Sequence, residues 1–160
     1  MELTGNSYKM PISVLVVVHT PELEVLLLER ADLPGFWQSV TGSQHASETL
    51  TQTALRELAE ETGIDAAVHG LSDWKAQNRF EIYQQWLHRY APGVTHNTEH
   101  VFSVEVPTTL PVVLAPREHL AYVWLPWHVA ADRAFSWSNA AALRELPRRV
   151  ADLSARTKGR

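Results

Sequence analysis

Between Gly42 and Ile64 the chain reads GSQHASETLTQTALRELAEETGI, and this stretch constrains the fold more than any other. The part from Glu48 to Thr62 predicts a helix. Ser47 is placed to cap it, Glu48 suits its positive first turn, and Gly63 stands where a helix ends in a residue of positive φ. At roughly 100° per residue, Glu57 and Glu61 lie about 40° apart around the axis, with Glu60 about 60° to the other side of Glu57. Leu50, Ala54, Leu55 and Leu58 define the arc expected to be buried. Glu57 and Glu61 sit at its edge, whereas a merely solvated face would put them opposite. The three carboxylates crowd the C-terminal half, where the macrodipole is negative. Glu57 and Glu61 also repel as an i,i+4 pair, at a cost of about 0.2–0.5 kcal/mol. Arg56 is the nearby cation. A hard dication would relieve the strain, and all-oxygen ligation suits Mg²⁺ or Mn²⁺. An isolated Glu-x-x-Glu-Glu would more simply be inert and solvated, so the rest of the stretch must decide.

Around this helix the chain alternates strands with turns. Ile12 to Val18 reads as a buried strand, and Val25 to Leu28 as a second beyond the Thr20-Pro21-Glu22 turn. After Leu33-Pro34-Gly35, Phe36 to Thr41 is short and extended. Ser72 to Asn78 and Phe80 to His88 read as paired strands, Arg89 to Asn97 as a loop, and Val101 to Val106 and His119 to Leu125 as further strands. Ser138 is expected to cap a last helix through Leu143, Leu146, Val150 and Leu153, with Pro147 kinking or splitting it. The fold class is therefore α+β, in one domain over residues 1–160, with the tail from Ala155 to Arg160 frayed.

A length of 160 residues suffices for a core without covalent staples. The absence of cysteine excludes disulfides, thiolate-held zinc and a thiol nucleophile. His96 and His100 are four apart on an extended segment with no suitably spaced third ligand, so no histidine zinc site is expected. A net charge of −4 argues against broad nucleic-acid binding, though a bound dication can still admit a polyphosphate. The N-terminus lacks a basic-then-apolar signal, and the apolar run Val14 to Val18 is too short to span a bilayer. The expectation is a cytoplasmic protein without a membrane or nucleic-acid partner; the oligomeric state stays open.

Gly42, Glu48, Arg56, Glu57, Leu58, Glu60, Glu61, Gly63 and Ile64 together match the full signature of the Nudix hydrolases. A chance match in such a chain is on the order of one in ten million at typical residue usage. The chain is similar to that family, which implies an α/β/α sandwich around a mixed β-sheet and a Mg²⁺-dependent pyrophosphohydrolase (Mn²⁺ being possible). The resemblance also implies that Glu57, Glu60 and Glu61 hold metal, that Arg56 orients a glutamate, that Glu48 holds the loop opening the helix, and that the Gly42 backbone lies beside the ions. Positions 44 to 47, Gln-His-Ala-Ser, depart from the common acidic and glycine filling, at sites the signature leaves free.

The flanks narrow the resemblance. YKMPISVLVVV, FWQSVTGS, RFEIYQQWLHRYAPGVTHNTEHVFSV, EHLAYVWL and SWSNAAAL resemble the bacterial dihydroneopterin triphosphate diphosphatase branch of the family, from about Tyr8 to Leu143. That branch implies cleavage of 7,8-dihydroneopterin triphosphate to the monophosphate and pyrophosphate, in folate biosynthesis. It implies Glu57, Glu61 and Glu118 as metal ligands. It implies Lys9, Arg30, Thr41, Phe80, Glu81, Ile82, Tyr83 and Ser136 as substrate contacts. Lys9 and Arg30 suit phosphate oxygens, and the aromatics suit a flat ring. Two alternatives remain: a general hydrolase of dATP or oxidised purine nucleotides, and a nucleotide-sensing module without turnover.

Overall fold

The β-branched run begins at Ile12 and forms β1 (Ile12–His19), which has a core on each face. In the computed structural model, which describes residues 8–158, Val14, Val16 and Val18 pack with Ala54 and Leu58. Leu15 and Val17 pack with Ala142, Leu143 and Leu146 on the opposite side. With helices on both faces, neither set of alternate residues meets water, so the run is continuously apolar. Each fully buried Val or Leu contributes about 1.5–3 kcal/mol.

β1 is the centre of a seven-stranded mixed sheet. It runs parallel to β6 (His96–Glu105), with Ile12 matched to Thr98 and His19 to Glu105. It is antiparallel to β2 (Glu24–Arg30) and to β4 (Val40–Ser43). The short β3 (Trp37–Gln38) and β7 (His119–Pro126) pair with β2, and β5 (Leu71–Glu81) pairs with β6. α1 (Leu50–Thr62) covers one face; α3 (Trp127–Arg133) and α4 (Trp137–Lys158) cover the other. α2 (Ala66–His69) is a single turn after α1. This is the expected sandwich. Among the described residues, no helix is long and apolar enough to cross a membrane.

Five local expectations are corrected. α1 starts at Leu50, and Thr49, not Ser47, is its cap: Thr49 Oγ1 accepts from Gln52 N at 3.1 Å while Gln52 Oε1 accepts from Thr49 N at 2.8 Å. This reciprocal box requires Gln or Glu three residues on, which Thr49 has and Ser47 lacks. Leu55, placed in the buried arc, is 37% exposed, and Thr53, Glu57 and Glu61 are buried instead.

The pair of strands expected over 72–88 is one strand, β5, followed by a 3₁₀ helix (Gln84–Arg89). Only Arg79 separates the two expected pieces, and a hairpin loop needs at least two residues. Arg79 instead stays in the ladder opposite Thr98. Pro147 does not split α4, which runs unbroken to Lys158. A helix-interior proline costs about 3 kcal/mol. Here Leu143 and Leu146 before it and Val150 after it pack on the sheet, and Arg149 donates to Trp74 O at 3.0 Å.

α4 is also capped two residues earlier than expected. Ser136 Oγ accepts from Asn139 N at 3.2 Å, while Ser138 is buried at the start of the helix.

Candidate active site

α1 supplies the acidic end of the site. Glu57 is 8% exposed and Glu61 2%, so both carboxylates are withdrawn from water although the helix has a free solvent face. Arg56 holds this arrangement. Its Nε donates to Glu48 Oε2 at 2.6 Å and its Nη2 to Glu48 Oε1 and Ser43 O, both at 3.0 Å. Its Nη1 reaches Glu57 at 3.1 Å and Glu60 at 3.3 Å. One guanidinium thus ties the loop before α1 to the helix. The Arg56 hydrogen bond holds the Glu48 carboxyl down at about 2. Glu60 is half exposed at the outer side of this clamp, and neither it nor Arg56 lines the cavity described below.

Glu57 lies against β4 at Gly42. A Cβ added there would overlap its carboxylate, so glycine is what permits the approach. Burial pushes the Glu57 carboxyl up. It pushes Glu61 well up, and the neighbouring Glu57 and Glu118 carboxylates add to this. Glu61 Oε1 has no hydrogen-bond partner among the described residues. It stands 3.7 Å from His119 Nε2, too far for a hydrogen bond. Burial first, then Arg30, lowers His119 to about 4, leaving a neutral imidazole there.

Glu61 opens onto a cavity of about 280 Å³. Glu118, exposed at the start of β7, and Thr41 also line it. Thr41 Oγ1 donates to Val14 O at 2.9 Å. Lys9, Arg30, Arg89 and Arg117 make its basic rim. Arg30 is fixed by two 2.7 Å bonds to Asp32 and one of 2.9 Å to Gln38, and it lies 4.2 Å over the Trp86 ring. Asp32 also accepts from Trp86 Nε1 at 3.1 Å and Arg89 Nη2 at 3.2 Å. The Arg30 hydrogen bonds hold Asp32 at about 2.

The far end is aromatic. Tyr83, Trp86 and Phe135 line it, with ring centroids 5.4–6.0 Å apart. Phe80, Ile82 and Ser136 also line the cavity. Glu81 does not: β5 turns Phe80 inward opposite Asn97, so Glu81 opposite His96 is exposed on the other side. Asn97 and Glu99 form the floor of this end, 4% and 5% exposed. Burial pushes the Glu99 carboxyl up to about 7, with the Ser138 hydroxyl pulling the other way.

The arrangement joins buried acids, a basic rim and an aromatic chamber in one cavity. The sequence reading missed Asn97, Glu99, His119, Asp32, Arg89 and Phe135. One available signal was in β6: Asn97 and Glu99 share a strand face with the buried Val101, where an apolar residue is the norm. Among the described residues, no three acidic or histidine side chains are already gathered around a common metal position.

Comparison with known proteins gives the same direction. The NUDIX domain model matches residues 9–146. The chain is 45% identical over 142 residues to dihydroneopterin triphosphate diphosphatase of Escherichia coli K12, covering 87% of this chain and 93% of that one. It is 40% identical over 141 residues to the Haemophilus influenzae protein of that name, covering 86% and 88%. The solved E. coli dihydroneopterin triphosphate pyrophosphohydrolase superposes with a TM-score of 0.83 at 45% identity, covering 88% of this chain and 97% of the other.

Proposed function

Because the chain belongs to the Nudix family of hydrolases, we propose that it hydrolyses 7,8-dihydroneopterin triphosphate to the monophosphate and pyrophosphate, a step of folate biosynthesis. The observation that carries this reading is the buried Glu61, with Glu57 beside it on α1 against Gly42, opening onto the same cavity as an aromatic chamber. The names and near-complete coverage of the two bacterial relatives support the substrate.

Mg²⁺ fits this donor set. Glu61 Oε1 is a buried oxygen without a partner among the described residues, Gly42 lets the Glu57 carboxylate lie close to β4, and the acids are all-oxygen donors. Glu57, Glu61 and Glu118 would hold it. When bound, Mg²⁺ would activate water and neutralise charge developing on the phosphoryl oxygens. Lys9 and Arg30 bind the polyphosphate oxygens, and Arg56 positions Glu57 without touching substrate. The aromatic chamber holds the ring and keeps water from it.

Steady-state rates on the pterin triphosphate and on dATP test the substrate. The expected result is a higher kcat/KM for the pterin compound, with pyrophosphate as product. Preference for dATP would overturn it in favour of a general nucleotide hydrolase. Glu57→Gln is expected to lower kcat by roughly 10²-fold or more with the fold intact. Near-normal kcat at saturating Mg²⁺ would remove Glu57 from the metal site.

A further inference from the structure

The floor of the aromatic chamber presents two acceptors that the protein leaves unused. Glu99 Oε1 and Asn97 Oδ1 have no hydrogen-bond partner among the described residues, and both side chains are more than nine-tenths buried. They stand two residues apart on β6, so they face the same side of the sheet. Ser138, whose buried Oγ has no other partner among the described residues, is the hydroxyl beside Glu99, and the other polar neighbours are engaged elsewhere. Asn97 Nδ2 donates to Ser13 Oγ at 2.8 Å, Gln38 Oε1 accepts from Arg30, and Asn139 uses both amide atoms on Ser39. Leaving a buried acceptor unmade is costly, and more so for a carboxylate. The two open acceptors, Glu99 Oε1 and Asn97 Oδ1, therefore favour a ligand that brings N–H donors to the floor.

The walls define the rest of that ligand. Tyr83, Trp86 and Phe135 pack on one another and line the cavity, an aromatic wall that suits a flat ring. A 2-amino-4-oxopyrimidine, as fused in pterins and guanine, carries a ring N–H beside an exocyclic NH₂ on one edge. That edge offers a carboxylate two parallel donors. Adenine offers one donor beside a ring-nitrogen acceptor, which would meet an ionised carboxylate lone pair to lone pair. Resting on the functional reading above, we propose that Glu99, with Asn97 beside it, is the specificity residue that reads the 2-amino-4-oxopyrimidine edge of the substrate ring.

Two donors favour the charged carboxylate, so the ligand itself keeps Glu99 ionised. Exchange for glutamine changes the pattern without changing the shape. The amide introduced by Glu99→Gln would place an NH₂ against one ligand donor, yet would match adenine's donor–acceptor edge as amides do.

The test compares kcat/KM on 7,8-dihydroneopterin triphosphate, dGTP, dITP and dATP for wild type and Glu99→Gln. In wild type, dITP, which lacks the 2-amino group, is expected to fall at least about tenfold below dGTP. In Glu99→Gln, the dGTP-to-dATP and pterin-to-dATP ratios are each expected to drop at least about tenfold. A uniform loss on all substrates would mark Glu99 as structural and overturn the proposal, as would equal wild-type rates on dGTP and dITP. The dGTP/dITP comparison needs no variant, so it stands even if Glu99→Gln folds poorly. Failure on the pterin triphosphate alone, with the dGTP, dITP and dATP differences retained, would remove the pterin substrate and leave the role of Glu99.

Discussion

At the scale of single residues, the site depends as much on an absent atom as on its carboxylates. Gly42 has no Cβ, and that absence lets Glu57 lie against β4. Gly42→Ala would drive the flexible carboxylate away and leave the backbone unstrained. A displacement near 1 Å at a catalytic group costs about 10² in rate. We expect kcat to fall about 10²-fold while the melting temperature moves by no more than about 5 °C, within the cost of modest overpacking. Steady-state kinetics and a thermal melt on one preparation check both halves; unchanged kcat would show that Glu57 does not need that position. Glu57, Glu61 and Gly42 were legible in the sequence because their spacing is fixed by one helix and the loop before it. Glu99 and His119 were not, because each reaches the cavity through strand pairing distant in sequence. A lone acid on a strand carries no local mark of burial; only the apolar neighbours on its face give it away.

At the scale of elements, the helix that bears the acids was legible along its length but not at its start. Ser47 and Thr49 are both competent caps by residue type. Gln52 decides between them, since it completes the box with Thr49 alone. Thr49→Ala should therefore cost about 1 kcal/mol, and Ser47→Ala less than about 0.5 kcal/mol. Chemical denaturation of both variants measures this, and equal costs would contradict the observed cap. The released Glu48 has a different use, binding Arg56 and closing the 43–48 loop onto α1. The errors over β5 and Pro147 have a common cause. Local propensity says where a chain is free to turn or break; the β6 ladder and the packed face of α4 carry those segments on without a break.

At the scale of the whole molecule, the two helical layers give the sheet two dry faces, and the ligand chamber is cut into one of them. That explains why a carboxylate can be stranded there, and it makes stability depend on pH. Glu99 has its folded pKa raised from 4.5 to about 7 by burial. The folded state then binds the proton more tightly than the unfolded chain does. Its contribution to stability is complete below pH 4.5 and is lost as pH rises through about 7. The loss is on the order of 3 kcal/mol. Tyr83, the titratable neighbour raised in part by Glu99, stays neutral across this window. Glu99→Gln carries no such proton. Its melting temperature should match wild type near pH 4.5 and exceed it by roughly 6–12 °C at pH 8. Groups that titrate elsewhere are common to both proteins and cancel in the difference. A gap that does not widen between pH 5 and 8 would mean that Glu99 is ionised without penalty. If the gap does widen, the protein retains at its substrate chamber a charge that weakens its own fold, the trade-off expected where recognition needs an acceptor that packing alone would have replaced.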